Sequence, residues 1–171
     1  MAFMTNDSHI QNCIDKASDM MSRGVERKNI LSFLVQAAEK MAGEGAVSSI
    51  LLLDKQGLLR NGASPQLPSD YLDAIDGLKP DPSVGTCAAA AATGSVIFTP
   101  DFYADNKWAE LRHLPLSLGF AGAWSMPIKT QEGRVIGTFG TYFRQSRKPS
   151  PDEIIAVQSL ADAAARVINT D

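Results

Sequence analysis

Cysteine is scarce in this chain. Cys13 and Cys87 lie far apart in sequence, and no export signal precedes them, so both are expected to be free thiols of a cytoplasmic protein. Histidine is as rare. His9 and His113 are the two, with no pair of histidines at i, i+4 and no C-x-x-C, which argues against a metal site. No apolar run approaches the ~20 residues of a membrane span, so no membrane contact is expected of this chain. Positive charge is not concentrated either. With 16 Lys and Arg against 19 Asp and Glu the net charge is −3, and the densest basic cluster, Arg144 to Lys148, reads as a strand end and a turn. Nucleic acid is therefore not an expected partner. The phosphate-cradling patterns G-x-x-x-x-G-K and G-x-G-x-x-G are absent, and so is the G-x-S-x-G elbow. A Ser-His-Asp triad would have to use His113. No catalytic constellation is visible, and an enzyme is not expected.

What is present is a chain of 171 residues, 44% hydrophobic and 20% charged, enough for one domain with a real core. Residues 8–23 repeat apolar side chains at helical spacing through Ile10, Ile14, Ala17 and Met21, and residues 26–42 do so through Ile30, Leu34, Ala37, Ala38 and Met41. "VSSILLLD" (47–54) and "LLRNGA" (58–63) form a hairpin around the turn at Asp54–Gly57. Ser69 is placed to cap a short helix that turns Leu72 and Ile75 inward. "SVIFT" (95–99) is a strand, residues 107–117 are helical with an interruption at Pro115, and 120–128 and 134–144 are two strands joined by "KTQEG". Ser150, Pro151 and Glu153 form a capping box ahead of a last helix whose apolar face runs from Ile154 to Ile168. Two hairpins and flanking helices imply an α+β layer architecture built on an antiparallel sheet.

One stretch stands apart: "SVGTCAAAAATGSV", Ser83 to Val96. Val84 to Thr93 reads as a short helix stopped by Gly94. Alanine is the best helix former, and its small side chain lets a helix lie close against its neighbours. A helix beginning at Gly85-Thr86-Cys87 offers free N–H groups to a small anion, and its field would lower the pKa of Cys87. The plainer reading makes Cys87 a small buried filler.

From Val84 onward the sequence resembles GAF domains. The string is "VGTCAAAAATGSVIF", then "DNKW", then "GFAGAWSMPIKTQEGRVIGTFGTYFRQSRKPSPDE". The likeness is closest to the GAF domains of bacterial sensor histidine kinases and diguanylate cyclases. It covers roughly residues 25–170, with residues 1–24 as an added N-terminal helix and a dimerisation element. The resemblance implies a central antiparallel sheet with the terminal helices on one face and a small-molecule pocket on the other. It also implies signal relay through those helices to an attached output domain such as a kinase or cyclase, in a homodimer.

The residues assigned to the pocket on this basis are Thr86, Cys87, Trp108, Arg112, His113, Trp124 and Thr138. Ser125 and Thr141 are strand polar residues whose facing depends on one register step. Trp108 and Trp124 either line a ligand site or fill the core. Covalent bilin attachment lacks a cysteine beside His113, and haem ligation through His113 stays open. Reduction of free methionine sulfoxide, an activity of some GAF proteins, lacks its second thiol, because "FAGAWSMPI" has no cysteine and Cys13 sits on the first helix. Two readings follow. In one, the domain senses a small polar metabolite or anion. In the other, it is a ligand-free dimerisation module whose pocket is closed by its own side chains.

Overall fold

The computed structural model describes residues 6–169. Helix α1 (Asn6–Ser22) leads through Gly24 into α2 (Arg27–Ala42). The hairpin β1 (Val47–Leu53) and β2 (Leu59–Ala63) follows, then α3 (Ser69–Ile75), α4 (Cys87–Thr93) and the short β3 (Ile97–Thr99). A 3-10 turn at Asn106–Trp108 and α5 (His113–Ser117) precede β4 (Gly122–Lys129), β5 (Val135–Phe143) and α6 (Pro151–Ile168). The strands form one antiparallel sheet in the order β2-β1-β5-β4-β3.

Alternation along β1, β4 and β5 divides the core in two. One face carries Ile50, Trp124, Met126, Ile128, Phe139 and Phe143, and α2 and α6 pack on it. Helix α1 lies outside them, turning Ile10, Cys13 and Ala17 onto α2 and α6 of the same chain. The apolar stripe of α1 is thus consumed within the chain, and its outer face is polar. The other face carries Val47, Leu51, Ala123 and Tyr142 beneath α3, α4 and the loops from Thr99 to Ala121.

The ends of α6 and α2 are tied together by one side chain. Ser150 and Glu153 make the expected capping box, each closing the other's backbone N–H. Arg147 grips both carboxylate oxygens of Glu153, at 2.8 and 3.1 Å, and donates to the Ala42 carbonyl at 3.0 Å. Its guanidinium lies 3.7 Å from the centre of the Phe143 ring, at the end of β5. One residue therefore connects the last strand, the C-terminus of α2 and the N-terminus of α6.

Three local readings shift. Pro68, not Ser69, is the N-cap of α3, and no side chain caps it. The helix expected from Val84 begins at Cys87, because Gly85 adopts a φ of +59° and turns the chain before α4. The helix expected over 107–117 is split, with α5 starting at His113 and carrying Pro115 inside its first turn, where a missing N–H breaks no helical bond.

Candidate functional site

The face of the sheet away from the terminal helices gathers most of the buried polar chemistry. Helix α4 lies across β4 and β5 at its centre. Ala88, Ala89, Ala90 and Ala91 are all buried, and the close approach is completed by a glycine on the strand. A Cβ at Gly140 would stand 3.0 Å from the Cys87 sulfur. The alanine run and Gly140 are two halves of one contact.

Cys87 is held beside two strand hydroxyls. Ser125 Oγ donates to its Sγ at 3.5 Å. Thr138 faces the same thiol and biases its titration, yet its fully buried Oγ1 makes no hydrogen bond of good geometry. Burial pushes the Cys87 thiol up, against the smaller opposing effects of Ser125 and Thr138. The lowered pKa expected at the helix terminus is not found: burial is the largest influence on this thiol and raises it, so the thiol is protonated at neutral pH.

Around this centre the layer is filled. Tyr71 and Tyr142 share a hydrogen bond of 2.7 Å between their hydroxyls and meet edge to face. Burial raises both phenols well above the usual tyrosine value. Phe120 tilts against Tyr142 with ring centres 5.1 Å apart, and Phe102 meets Trp108 at 4.7 Å. Trp108 Nε1 donates to Thr86 Oγ1 at 2.7 Å, and Thr86 shares a 2.9 Å contact with the Thr99 hydroxyl. Ser49, Ser64 and Asn61 continue the polar line toward β2, with successive distances of 2.7 Å. Four cavities lie elsewhere, along the terminal helices, the β4–β5 turn and the strand ends, and none of these is lined by Cys87, Thr138 or Trp108.

Of the seven residues singled out in the sequence, Thr86, Cys87, Trp108 and Thr138 meet in this layer. Trp124 does not. Its register partner Thr141 and neighbour Met126 belong to the opposite face, where its ring stacks on Phe98 at 6.2 Å and its buried Nε1 has no partner. Arg112 is spent on backbone: its Nη1 donates to the Tyr103 carbonyl at 3.0 Å, and a longer contact of 3.4 Å reaches the Trp108 carbonyl. His113 is exposed at the start of α5, away from the buried groups, so a haem between sheet and α4 would not find its ring. Nor is the Gly85 turn open to an anion as expected: its N–H donates to the Lys107 carbonyl at 2.7 Å, and Trp108 lies over it. The two thiols sit on opposite faces of the sheet, so no relay joins Cys13 to Cys87.

The amino-acid sequence alone does not point to the Tyr71–Tyr142 pair or the Ser49–Ser64–Asn61 line. A tyrosine on a short amphipathic helix and serines inside an apolar strand were the available signals, but their meeting depends on register.

A family model for the GAF domain matches residues 25–169. The chain belongs to the GAF domain family. It is 30% identical over 155 residues to the methyl sulfide methyltransferase-associated sensor of Methanosarcina acetivorans, an alignment covering 90% of this chain. The chain spans about 15% of that relative's length. Its fold is similar to that of the GAF domain from an Acinetobacter phosphoenolpyruvate-protein phosphotransferase, with a TM-score of 0.75 at 16% identity, covering 98% of this chain and 94% of the other. It is also similar to a free methionine-R-sulfoxide reductase from Neisseria meningitidis, with a TM-score of 0.69 at 13% identity and coverage of 98% and 92%. At these identities the two structural likenesses concern the GAF fold, which serves both sensors and an enzyme.

Proposed function

We propose that this GAF domain is sensory, taking a small polar metabolite on the α4 face of its sheet and passing its bound state to α6. The observation that carries the reading is the Thr138 hydroxyl, fully buried beside the Cys87 thiol and Ser125 and making no hydrogen bond of good geometry. A buried hydroxyl left unpaired costs ~1–3 kcal/mol, and a ligand group accepting from it would recover that energy. The likeness to a curated sensor points the same way.

Binding requires the roof to open, because Trp108, Phe102 and α4 occupy the space. The roof is built to move as a unit: Arg112 binds the Tyr103 carbonyl, Trp108 binds Thr86, and α4 begins immediately after. Motion of α4 bears on β5 through Gly140, and β5 ends at Phe143 beneath the Arg147 clamp on α6. The relay to an output domain, and a homodimer formed by the outward faces of the terminal helices, are the remaining parts of this proposal.

A second reading draws on the filled layer. Five aromatic side chains, Tyr71, Phe102, Trp108, Phe120 and Tyr142, are buried there, as a ligand-free interaction module would have them. The reductase reading has less support, since it needs a nucleophilic thiolate and Cys87 is held as a protonated thiol.

A thermal-stability screen against a panel of metabolites tests the proposal. A ligand at a hundred times its Kd adds about 2.7 kcal/mol, which for a domain of this size raises Tm by roughly 5–10 °C. A broad panel with no shift favours the closed module.

A further inference from the structure

On the opposite face of the molecule, α1 and α2 leave a cleft of about 290 Å³ between them. Its walls are His9, Cys13 and Lys16 from α1 and Phe33, Ala37 and Lys40 from α2, with two neutral amide side chains completing the lining. No carboxylate lines it, although the chain as a whole carries a net charge of −3.

Among the described side chains, the acidic groups of these two helices are engaged elsewhere. Asp15 accepts from Gln11, Asp19 pairs with Arg23, and Glu39 holds the Ser48 N–H. Among the described residues neither Lys16 nor Lys40 forms a salt bridge. The Lys16 ammonium sits 5.3 Å from the centre of the Phe33 ring. The fields of both lysines converge on the Cys13 thiol, where they oppose the upward push of burial. His9 Nε2 lies 3.9 Å from the same sulfur. The cleft thus combines an apolar floor with a cationic rim that has no anion of its own.

We propose that this cleft is a second binding site, taking a small carboxylate with a compact apolar body. The carboxylate lies between Lys16 and Lys40, and the body rests on Phe33, Ala37 and the Cys13 sulfur. The volume is at the lower end of the ~300–1,000 Å³ of small-molecule pockets, which limits the occupant to a small molecule. Lysine ammonium groups act as point charges on flexible stems and accept a carboxylate without a fixed fork geometry. Because one lysine belongs to α1 and the other to α2, the occupant bridges the outermost helix to the layer beneath it. This input is separate from the α4 face, on the other side of the sheet.

Phenylacetate is a suitable probe, with phenylacetamide as its uncharged counterpart. In a two-dimensional amide NMR titration of the wild-type chain, phenylacetate is expected to produce saturable shifts in residues 9–16 and 33–40. The double variant Lys16→Gln/Lys40→Gln is expected to bind at least about tenfold more weakly, from the loss of two charge-assisted contacts. In wild-type protein, phenylacetate slows alkylation of Cys13 by iodoacetamide severalfold, read by peptide mass spectrometry, and phenylacetamide does not. This second readout stands even if the double variant fails to fold. Absence of saturable shifts, equal binding of phenylacetamide, unchanged affinity in a folded double variant, or no protection of Cys13 would each overturn the proposal.

Discussion

Thr138 is the residue on which the account turns. Its hydroxyl is buried next to the Cys87 thiol and makes no hydrogen bond of good geometry. Thr138→Val removes the unpaired group at nearly constant volume and is expected to raise stability by about 1 kcal/mol, seen as a higher urea midpoint with an unchanged slope. A drop of that size would mean that the hydroxyl already has a partner in solution. The buried phenols and thiols make a second, pH-dependent prediction. Cys13, Cys87, Tyr71 and Tyr142 all have folded pKa values raised by burial. Between their ordinary values, 9.0 for the thiols and 10.0 for the phenols, and the raised ones, the unfolded chain has lost protons that the folded chain keeps. The stability they contribute is fully present below pH 9 and falls as pH rises above it. Chemical denaturation across that range should show the fall, and the Tyr71→Phe/Tyr142→Phe variant should show a shallower one.

At the scale of elements, the slimness of α4 is matched to β5. Gly140→Ala would put a Cβ 3.0 Å from the Cys87 sulfur, and overpacking of this kind costs ~1–3 kcal/mol. The double variant Gly140→Ala/Cys87→Ala removes the opposing sulfur and should recover most of that loss in equilibrium unfolding. If it recovers none, the two positions are not in contact. The elements themselves were largely legible in the sequence. The capping box at Ser150–Glu153, the Asp54–Gly57 turn and the 3.6-residue periodicity are local signals, and local signals survive into the fold. What was not legible was which side a strand residue faces. Trp124 reads equally well on either face, and a single register step sends it to the terminal helices, not to α4. The roles of Arg112 and Thr86 were hidden for a different reason. Each spends its polar atoms on partners outside its own element: Arg112 on Tyr103, Thr86 on Thr99 and Trp108. Gly140 was unremarkable in sequence for the same reason, since its meaning lies in what lies above it.

For the whole molecule, the sheet separates two environments that the terminal helices then reunite. One face holds α4 and its aromatic roof, and the other holds α1, α2 and α6. Between them runs a short chain of contacts: α4 on Gly140, β5 to Phe143, Arg147 over Phe143, and Glu153 in the first turn of α6. Arg147 also holds the Ala42 carbonyl, which ties the end of α2 to the same contacts. The proposed sensory role requires such a link, and the chain, a member of the GAF domain family, is 30% identical to a curated sensor over 155 residues. Amide hydrogen exchange, measured with and without each compound of the metabolite panel, tests this coupling most directly. The account predicts a compound that slows exchange in residues 85–91 and 102–121 and, at the same concentration, alters exchange in residues 150–156 of α6. Protection confined to the α4 face, or no protection by any compound, would contradict it.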